Sequence, residues 1–276
     1  MKMTAYYKQS VRSCAGLLNE DIMNDFNTSM AHGRTMDASI NEGLRSFMLG
    51  VYNKLALGIA LSGIIAYIAG SVAPISAVIY SAPIAYIVMI APVALILGSM
   101  FLMRNPSPTG SAILYWGIVV ALGLSMGIYF LMANLNMGGM THFVITKAFL
   151  ATSATFAGLS LFGYTTKRDL GPIGTFAIMG LWGAFIIAML FAVLPMIFPS
   201  VPFLEVGSPK QLIISGAFAL FSAILIAWNT QSLKETYFAL GGDQRGMAVA
   251  TNIGALNFFI YFVNIFQFFL SMMSND

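Results

Sequence analysis

Residues 111–133 read SAILYWGIVVALGLSMGIYFLMA, an apolar stretch without a charged residue. A helix needs about 20 apolar residues, at a rise of about 1.5 Å each, to cross the hydrocarbon layer of a bilayer. Comparable stretches predict spans at 47–69, 80–103, 111–133, 141–164, 173–198, 212–231 and 249–273. The sequence therefore predicts an all-α integral membrane protein built as a bundle of seven transmembrane helices.

The composition agrees with this fold class. Of the 276 residues, 58% are apolar and only 8% are charged, which leaves too little polar surface to coat a soluble globule of this size. Three prolines, Pro74, Pro83 and Pro92, fall in or just before the second span, so that span is expected to be kinked. The chain is predicted to divide into a cytoplasmic N-terminal tail, 1–46, and a transmembrane domain, 47–273.

Basic residues predict the orientation of the spans. If successive spans cross the membrane in alternating directions, nearly all the lysines and arginines outside the spans lie on one side of the membrane, and the loops on the other side carry only Lys210. The basic residues on the first side are Lys2, Lys8, Arg12, Arg34, Arg45, Arg104, Lys167, Arg168, Lys234 and Arg245. By the positive-inside rule, we expect a cytoplasmic N-terminus and an external C-terminus, with the spans in the cell's inner membrane. These scattered charges mark topology and form no patch for nucleic acid.

Several functions of seven-span proteins are tested by residue type. The last span has no lysine for a retinal Schiff base, and the spans lack paired histidines for haem. His142, at the outer end of the fourth span, is interpreted as an interfacial residue without partners at metal-ligand spacing. No His-Glu-x-x-His motif is present, and the single Gly-x-Ser-x-Gly match, from Gly123 to Gly127, lies inside the third predicted span and not at the strand-to-helix turn of a hydrolase nucleophile. The single cysteine, Cys14, lies in the tail. We expect no catalytic residues, no cofactor and no metal centre.

The positions of the carboxylates also bear on function, because none of the predicted spans contains Asp or Glu. A charge at bilayer depth costs at least a few kcal/mol, so an acid placed there usually handles ions or protons. Two lysines do fall within spans, Lys54 and Lys147. Each lies about six or seven residues, roughly 10 Å, from a helix end, and both are expected to extend to the headgroups, with an interior position as the alternative. Acids at the predicted cytoplasmic entrance, Glu42 and Asp169, are expected to form ordinary surface pairs with Arg45, Lys167 or Arg168.

The junction after the fourth span is the most distinctive motif. Residues 157–170 read AGLSLFGYTTKRDL, in which small residues allow close helix approach and a dense polar run follows. The polar run and its preceding glycine comprise Gly163, Tyr164, Thr165, Thr166, Lys167, Arg168 and Asp169. Here the chain resembles the transmembrane Bax inhibitor motif family, which carries a nearly identical run in the same place. The likeness continues through 43–52, 57–61, 228–231, 255–257 and 262–266.

The resemblance implies a fold in which the last helix is surrounded by the other six. It also implies a calcium leak or a role in calcium homeostasis, with ties to stress responses. Association with a membrane-anchored ATP-dependent protease is the alternative role that it implies for bacterial members. The expected partners are therefore the lipid bilayer and either calcium ion or such a protease.

The chain departs from the family at the site where two aspartates share a proton. Asn229-Thr230-Gln231 replaces an Asp-Thr-Gln pattern at the end of the sixth span, and Tyr261 replaces an aspartate in the seventh. An amide does not titrate, and a phenol with an ordinary pKa of about 10 is neutral at physiological pH. Asn257, Tyr261 and Asn264 follow at i, i+4 and i+7, so they share one helix face that we expect to point into the bundle.

These observations give two functional hypotheses. The leading one is a non-catalytic calcium-leak or ion-homeostasis channel, with a hydrogen-bonded latch between the sixth and seventh spans and weakened or lost pH sensing. The latch is assigned to Asn229, Thr230, Gln231, Asn257, Tyr261 and Asn264. The other is an interaction protein that modulates a membrane-anchored protease or stress machinery through its polar tail and loops.

Overall fold

The computed structural model describes residues 42–102, 106–197 and 209–274, and these residues form α-helices with short connections between them where the connection is described. The helices are α1 (Glu42–Ser71), α2 (Ala73–Ile79), α3 (Ile84–Leu102), α4 (Pro108–Asn134), α5 (His142–Thr165), α6 (Gly171–Ile197), α7 (Pro209–Leu240) and α8 (Gln244–Ser274). The chain divides into two compact units, Met1–Phe47 and Met48–Asp276, and the second forms the bundle. The predicted tail, 1–46, lies outside the described residues as far as residue 41.

Six of these helices, α1 and α4 to α8, are long and apolar enough to cross a membrane. The pair α2 and α3 meets the same criterion jointly, although it bends by 74° at the break between Ile79 and Ile84. The predicted second span, 80–103, is thus entered through a separate short helix. Pro74 lies in the first turn of that helix, where a missing N–H is tolerated, and Pro92 lies inside α3.

The last two helices are longer than their apolar stretches. The predicted span 212–231 is part of α7, which continues to Leu240. Helix α8 contains the predicted span 249–273 and begins five residues before it, at Gln244. The added turns of α7 include Lys234 and Glu235, which favour helix while remaining too polar for the hydrocarbon layer. These helices therefore extend beyond the apolar layer at the end of the bundle where α8 begins.

Small residues set the distances between neighbouring helices. A Cβ atom at Gly163 of α5 would overlap the carbonyl oxygen of Ala227 in α7, so these two backbones are in direct contact. On the other side of α7, Gly174 and Gly180 of α6 leave the space that the rings of Trp228 and Phe221 fill. Close packing of small residues is the main source of helix association in lipid, where burial of apolar surface adds little.

Helix α8 is the most buried of the described spans. In its most apolar window, 56% of the residues are buried, against 11–33% in the other candidate spans. Phe258 stacks on Tyr52 of α1 and meets Phe156 of α5, while Phe259 lies edge-on to Tyr115 of α4. Together with its packing against α7, these contacts place α8 between α1, α4, α5 and α7.

Candidate functional site

The register of α7 and α8 is fixed by a hydrogen bond. Asn264 donates its Nδ2 to the Oγ of Ser222 at 2.9 Å, and the two helices are antiparallel because a short turn joins them. Because the helices are antiparallel, Asn257, seven residues before Asn264 in α8, lies level with Asn229, seven residues after Ser222 in α7. By the same count Tyr261 lies level with Leu225, about one helical turn from Asn229.

Asn229 and Asn257 line one cavity of about 560 Å³, here called the α7–α8 cavity, at the end of the bundle where α8 begins. Its walls are Pro106, Trp228, Asn229, Ser232, Leu233, Thr236, Leu240, Asp243, Arg245, Gly246, Val249, Ala250, Ile253, Gly254 and Asn257. Asn229 is 7% exposed, and its Nδ2 has no hydrogen-bond partner among the described residues. Asn257 is half-buried and also has no described partner. The Nδ2 of Asn229 has no surface open to the cavity, so the groups that are free to bind a ligand there are the Oδ1 of Asn229 and the amide of Asn257.

Tyr261 and Asn264 lie on the face of α8 that meets α7, deeper in the bundle. Tyr261 is buried and is not part of the α7–α8 cavity wall. Asn264 joins the helices through Ser222, which is fully buried. The latch predicted between Asn229 and Tyr261 is thus spread over two levels in the structure, with Asn257 nearer to Asn229 along the helix pair.

Gln231 joins α7 to the turn between α5 and α6. Its Oε1 accepts the N–H of Leu170 at 2.9 Å, and its Nε2 donates to the carbonyl oxygen of Arg168 at 2.9 Å. One turn further on, the Nζ of Lys234 donates to the carbonyl oxygen of Tyr164 at 2.8 Å and lies over the Tyr164 ring. The distinctive motif is therefore held against α7, the helix that carries Asn229.

The remaining motif residues end α5 and begin α6. Thr165 donates its hydroxyl back to the carbonyl oxygen of Leu161, and Thr166 is the C-terminal cap of α5 in extended conformation. Asp169 accepts the N–H of Gly171 at 2.8 Å, at the first residue of α6, where a carboxylate is favourable. Among the described residues Asp169 forms no ion pair with Lys167 or Arg168, although all three are exposed. Glu42 and Arg45 are exposed on the first turn of α1.

Thr230 belongs to a second buried group rather than to the cavity. It is fully buried, donates its Oγ1 to the carbonyl oxygen of Ile226 at 2.8 Å, and lies 3.4 Å from the Oγ of Ser160 in α5. Ser160 in turn contacts the hydroxyl of Tyr52 in α1. This group connects α1, α5 and α7 at the level where Gly163 meets Ala227.

Lys54 does not extend freely to the headgroups. Its Nζ donates to the Oδ1 of Asn252 in α8, and the Nδ2 of Asn252 donates to Ser111 at 2.8 Å and to the carbonyl oxygen of Pro108 at 3.0 Å. Asn252 was not singled out in the sequence, although a buried amide in an apolar helix is itself a signal. Lys147, in contrast, is exposed, with its Nζ 4.3 Å from the ring centroid of Phe143 toward the start of α5, as expected for a lysine that extends to the interface.

A second cavity, of about 270 Å³, lies on the other side of α8 and toward its opposite end. Helices α1, α4, α5 and α8 form its walls, which are almost entirely apolar. His142 lies at its edge, exposed and near the ring of Phe130. Helix α8 separates this apolar cavity from the α7–α8 cavity. Phe259 lines the apolar cavity, and Phe258 beside it is fully buried.

The chemistry of the site is that of uncharged amides and hydroxyls. Within the described ranges, no group of three or more His, Cys, Asp or Glu side chains is placed to hold a metal ion. Charge enters the α7–α8 cavity only at its mouth, through Asp243 and Arg245. The deep part of the cavity can hydrogen-bond a ligand or an opposing helix, but its amides do not titrate.

Comparison with known proteins places these features in a family. Residues 44–276 match Bax1-I, described as Inhibitor of apoptosis-promoting Bax1. An uncharacterized protein of Caulobacter vibrioides is 40% identical over 268 residues, which cover 92% of this chain and 99% of the relative. The protein RP147 of Rickettsia prowazekii is 29% identical, covering 90% and 95% of the two chains. Inner membrane protein YbhL of Escherichia coli K12 is 24% identical, covering 84% and 93%.

Proposed function

The chain belongs to the Bax1-I family, Inhibitor of apoptosis-promoting Bax1, and on that premise we propose that it is an inner-membrane leak channel for calcium ion. In this proposal seven spans cross the bilayer, the bent pair α2 and α3 counting as one, and α8 is surrounded by the others. The gate lies between α7 and α8. The name of the relative YbhL supports the membrane assignment.

The observation that carries the proposal is the pair of cavities on opposite sides of α8. The α7–α8 cavity enters from one end of the bundle and the apolar cavity lies toward the other, so together they approach a path across the membrane. Next to Asn257 on α8, the ring of Phe258 is fully buried, and the ring of Phe259 lines the apolar cavity. An apolar constriction of this kind keeps water and ions out until a helix moves. A displacement of α8 against α7 would join the cavities.

The proposed orientation puts the α7–α8 cavity on the cytoplasmic side. Lys167 and Arg168, between α5 and α6, and Arg245, in the first turn of α8, are exposed at that end of the bundle. Basic residues of short loops remain cytoplasmic, so the C-terminus of α8 would be outside. The alternative role, modulation of a membrane-anchored protease, was assigned to the polar tail and the loops, and residues 1–41 of that tail lie outside the described residues.

Cross-linking α7 to α8 tests whether their separation opens the path. Ser222→Cys and Asn264→Cys would replace two side chains that are in hydrogen-bond contact, in a Cys14→Ser background that removes the other thiol. We expect that oxidation of this pair reduces calcium flux from proteoliposomes to the rate of protein-free vesicles, and that reduction restores it. The reason is that a disulfide prevents the two helices from separating.

Each single cysteine variant, treated with the same oxidant, is the control and should keep its flux. Gel mobility under non-reducing conditions measures the extent of cross-linking. Complete cross-linking with unchanged calcium flux would show that α7 and α8 do not need to separate, and the proposed gate would then be wrong.

A further inference from the structure

We propose that the apolar cavity between α1, α4, α5 and α8 binds one acyl chain of a membrane phospholipid. The chain enters from the leaflet at the end of the bundle where α5 begins. This inference goes beyond calcium leak, because it concerns what fills the cavity at rest and not what crosses the membrane. It depends on the shape of the gap between α1 and α5 and on the chemistry of the cavity wall.

The gap between α1 and α5 is closed at one end and widens toward the other. At the closed end, the hydroxyl of Tyr52 in α1 contacts the hydroxyl of Ser160 in α5. At the opposite end, the ring of Phe130 from α4 meets both helices, with its centroid 5.7 Å from the ring of Tyr67 in α1 and 6.1 Å from the ring of His142 in α5. Helices α1 and α5 are therefore antiparallel and diverge toward the start of α5.

The wide part of the gap is open to lipid among the described residues. Gly63 of α1 and Phe149 of α5 both line the cavity, and each lies eleven residues, about 16 Å, from the closed end of the gap. A Cβ atom at Gly63 would meet no atom within 4 Å. The next residues, Ile64 and Leu150, are 57% and 62% exposed. The cavity is thus continuous with the apolar surface of the bundle.

The polar groups of the wall are few and lie away from its deep part. The hydroxyls of Ser62 and Thr146 each donate to a carbonyl oxygen of their own helix, at 3.0 and 2.9 Å. The other polar side chains of the wall, Tyr129 and His142, belong to the end where α5 begins, which is the end nearest to the lipid headgroups.

The deep part of the wall is formed by aromatic rings of α8, from Phe259, Phe262 and Phe266. A buried water needs two to four polar partners, and an apolar cavity without them stays dry and accepts apolar molecules. The cavity, of about 270 Å³, is therefore suited to hydrocarbon and not to water.

The closed end of the gap favours an acyl chain over a helix of another protein. A transmembrane helix is about 10 Å wide with its side chains and crosses the whole hydrocarbon layer. Such a helix would have to pass between α1 and α5 where Tyr52 and Ser160 are in contact. An acyl chain, in contrast, ends within one leaflet, as the cavity does, and its polar end stays at the headgroups.

Quenching by a brominated lipid tests this site directly. The three natural tryptophans, Trp116, Trp182 and Trp228, are replaced by phenylalanine, and Phe149→Trp then places the single reporter in the cavity wall. The full chain in detergent micelles is titrated with a phosphatidylcholine that carries bromine on one acyl chain. We expect quenching that saturates while this lipid is still a minor component of the micelle, because a bound chain contacts the reporter.

A second reporter, one residue further along α5, separates binding from general contact with lipid. Leu150→Trp in the same tryptophan-free background lies outside the cavity wall and faces the micelle. Its quenching should rise gradually with the fraction of brominated lipid and should not saturate.

Two variants fill the cavity from opposite walls. Gly63→Phe on α1 and Thr146→Phe on α5, each combined with the reporter at position 149, should abolish the saturable quenching. Gly158→Phe adds the same ring to an open position of α5 outside the wall and should leave the quenching unchanged. The thermal loss of the monodisperse chromatographic peak shows whether each variant is folded. Because the two filling variants alter different helices, either one that folds is a sufficient test.

Saturable quenching at both reporter positions, or at neither, would overturn the acyl-chain site. So would saturable quenching that persists when a folded filling variant is titrated. Saturation by a free brominated fatty acid but not by the phospholipid would also contradict the proposed occupant. None of these readouts involves ion flux, so the lipid site and the calcium leak can fail separately.

Discussion

Replacing Gly163 by alanine is expected to destabilise the bundle by about 3 kcal/mol or more, at the upper end of the usual effect of overpacking. The added Cβ would overlap the carbonyl oxygen of Ala227 and lie 2.7 Å from its Cα. These are backbone atoms, which cannot rotate away as a side chain would. Helices α5 and α7 would have to separate, and the contact between Ser160 and Thr230 beside them would be lost.

The control lies five residues earlier on the same helix. A Cβ atom at Gly158 meets no atom within 4 Å, so Gly158→Ala should be neutral or stabilising by up to about 1 kcal/mol through helix propensity. The measurement is the temperature at which each purified variant in detergent loses its monodisperse chromatographic peak. Equal midpoints for the two alanine variants would show that α5 and α7 are not in backbone contact at Gly163.

Replacing Asn252 by leucine is expected to destabilise the protein by about 3 kcal/mol. The substitution removes the acceptor for the Lys54 ammonium and the donor to Ser111 and to the Pro108 carbonyl oxygen. Hydrogen bonds to charged groups contribute about 1.5–3 kcal/mol, and a polar group left buried without a partner adds its desolvation penalty. Helices α1, α4 and α8 would lose a shared polar contact. The same thermal midpoint measures the effect.

A double-mutant cycle separates this contact from simple packing. Lys54→Met combined with Asn252→Leu should be more stable than the sum of the two single changes by about 1 kcal/mol or more, because no unpaired ammonium remains. Asn257→Leu, on the same helix but without a described hydrogen bond, should change stability by only about 0.5 kcal/mol. Strict additivity of Lys54→Met and Asn252→Leu would contradict the contact.

Much of the fold follows from local features of the sequence. Apolar stretches predict the spans because bilayer thickness sets helix length, and the observed helices contain or overlap the predicted stretches. The bend between α2 and α3 was indicated by prolines, but its position at Ile79–Ile84 depends on packing against other helices. The extension of α7 to Leu240 was missed because hydropathy detects where a helix leaves lipid, not where it ends.

The site was predicted in part. Polar residues at i, i+4 and i+7 indicated which face of α8 meets α7, since the helical period is known in advance. The sequence does not reveal the position of α7 along the axis of α8. Asn229 was therefore paired with Tyr261, whereas the register places Asn257 at the level of Asn229. The interior position of Lys54 was only the alternative prediction for a related reason, because its acceptor Asn252 is 198 residues away in the chain.

The central claim is that the gate between α7 and α8 is formed at the level of Asn229 and Asn257 by groups that do not titrate. The most direct measurement is calcium flux into proteoliposomes between about pH 6 and about pH 8, for the wild type and for Asn229→Asp combined with Asn257→Asp. Two close carboxylates share a proton, which raises one pKa toward neutrality. Ionisation of both at higher pH would repel α7 from α8.

We expect wild-type flux that hardly changes with pH, and flux in the double variant that rises as pH rises. An aspartate pair at 229 and 261, staggered by about one turn, should respond less. Strong pH dependence in the wild type, or a double variant at 229 and 257 without any pH response, would contradict the account.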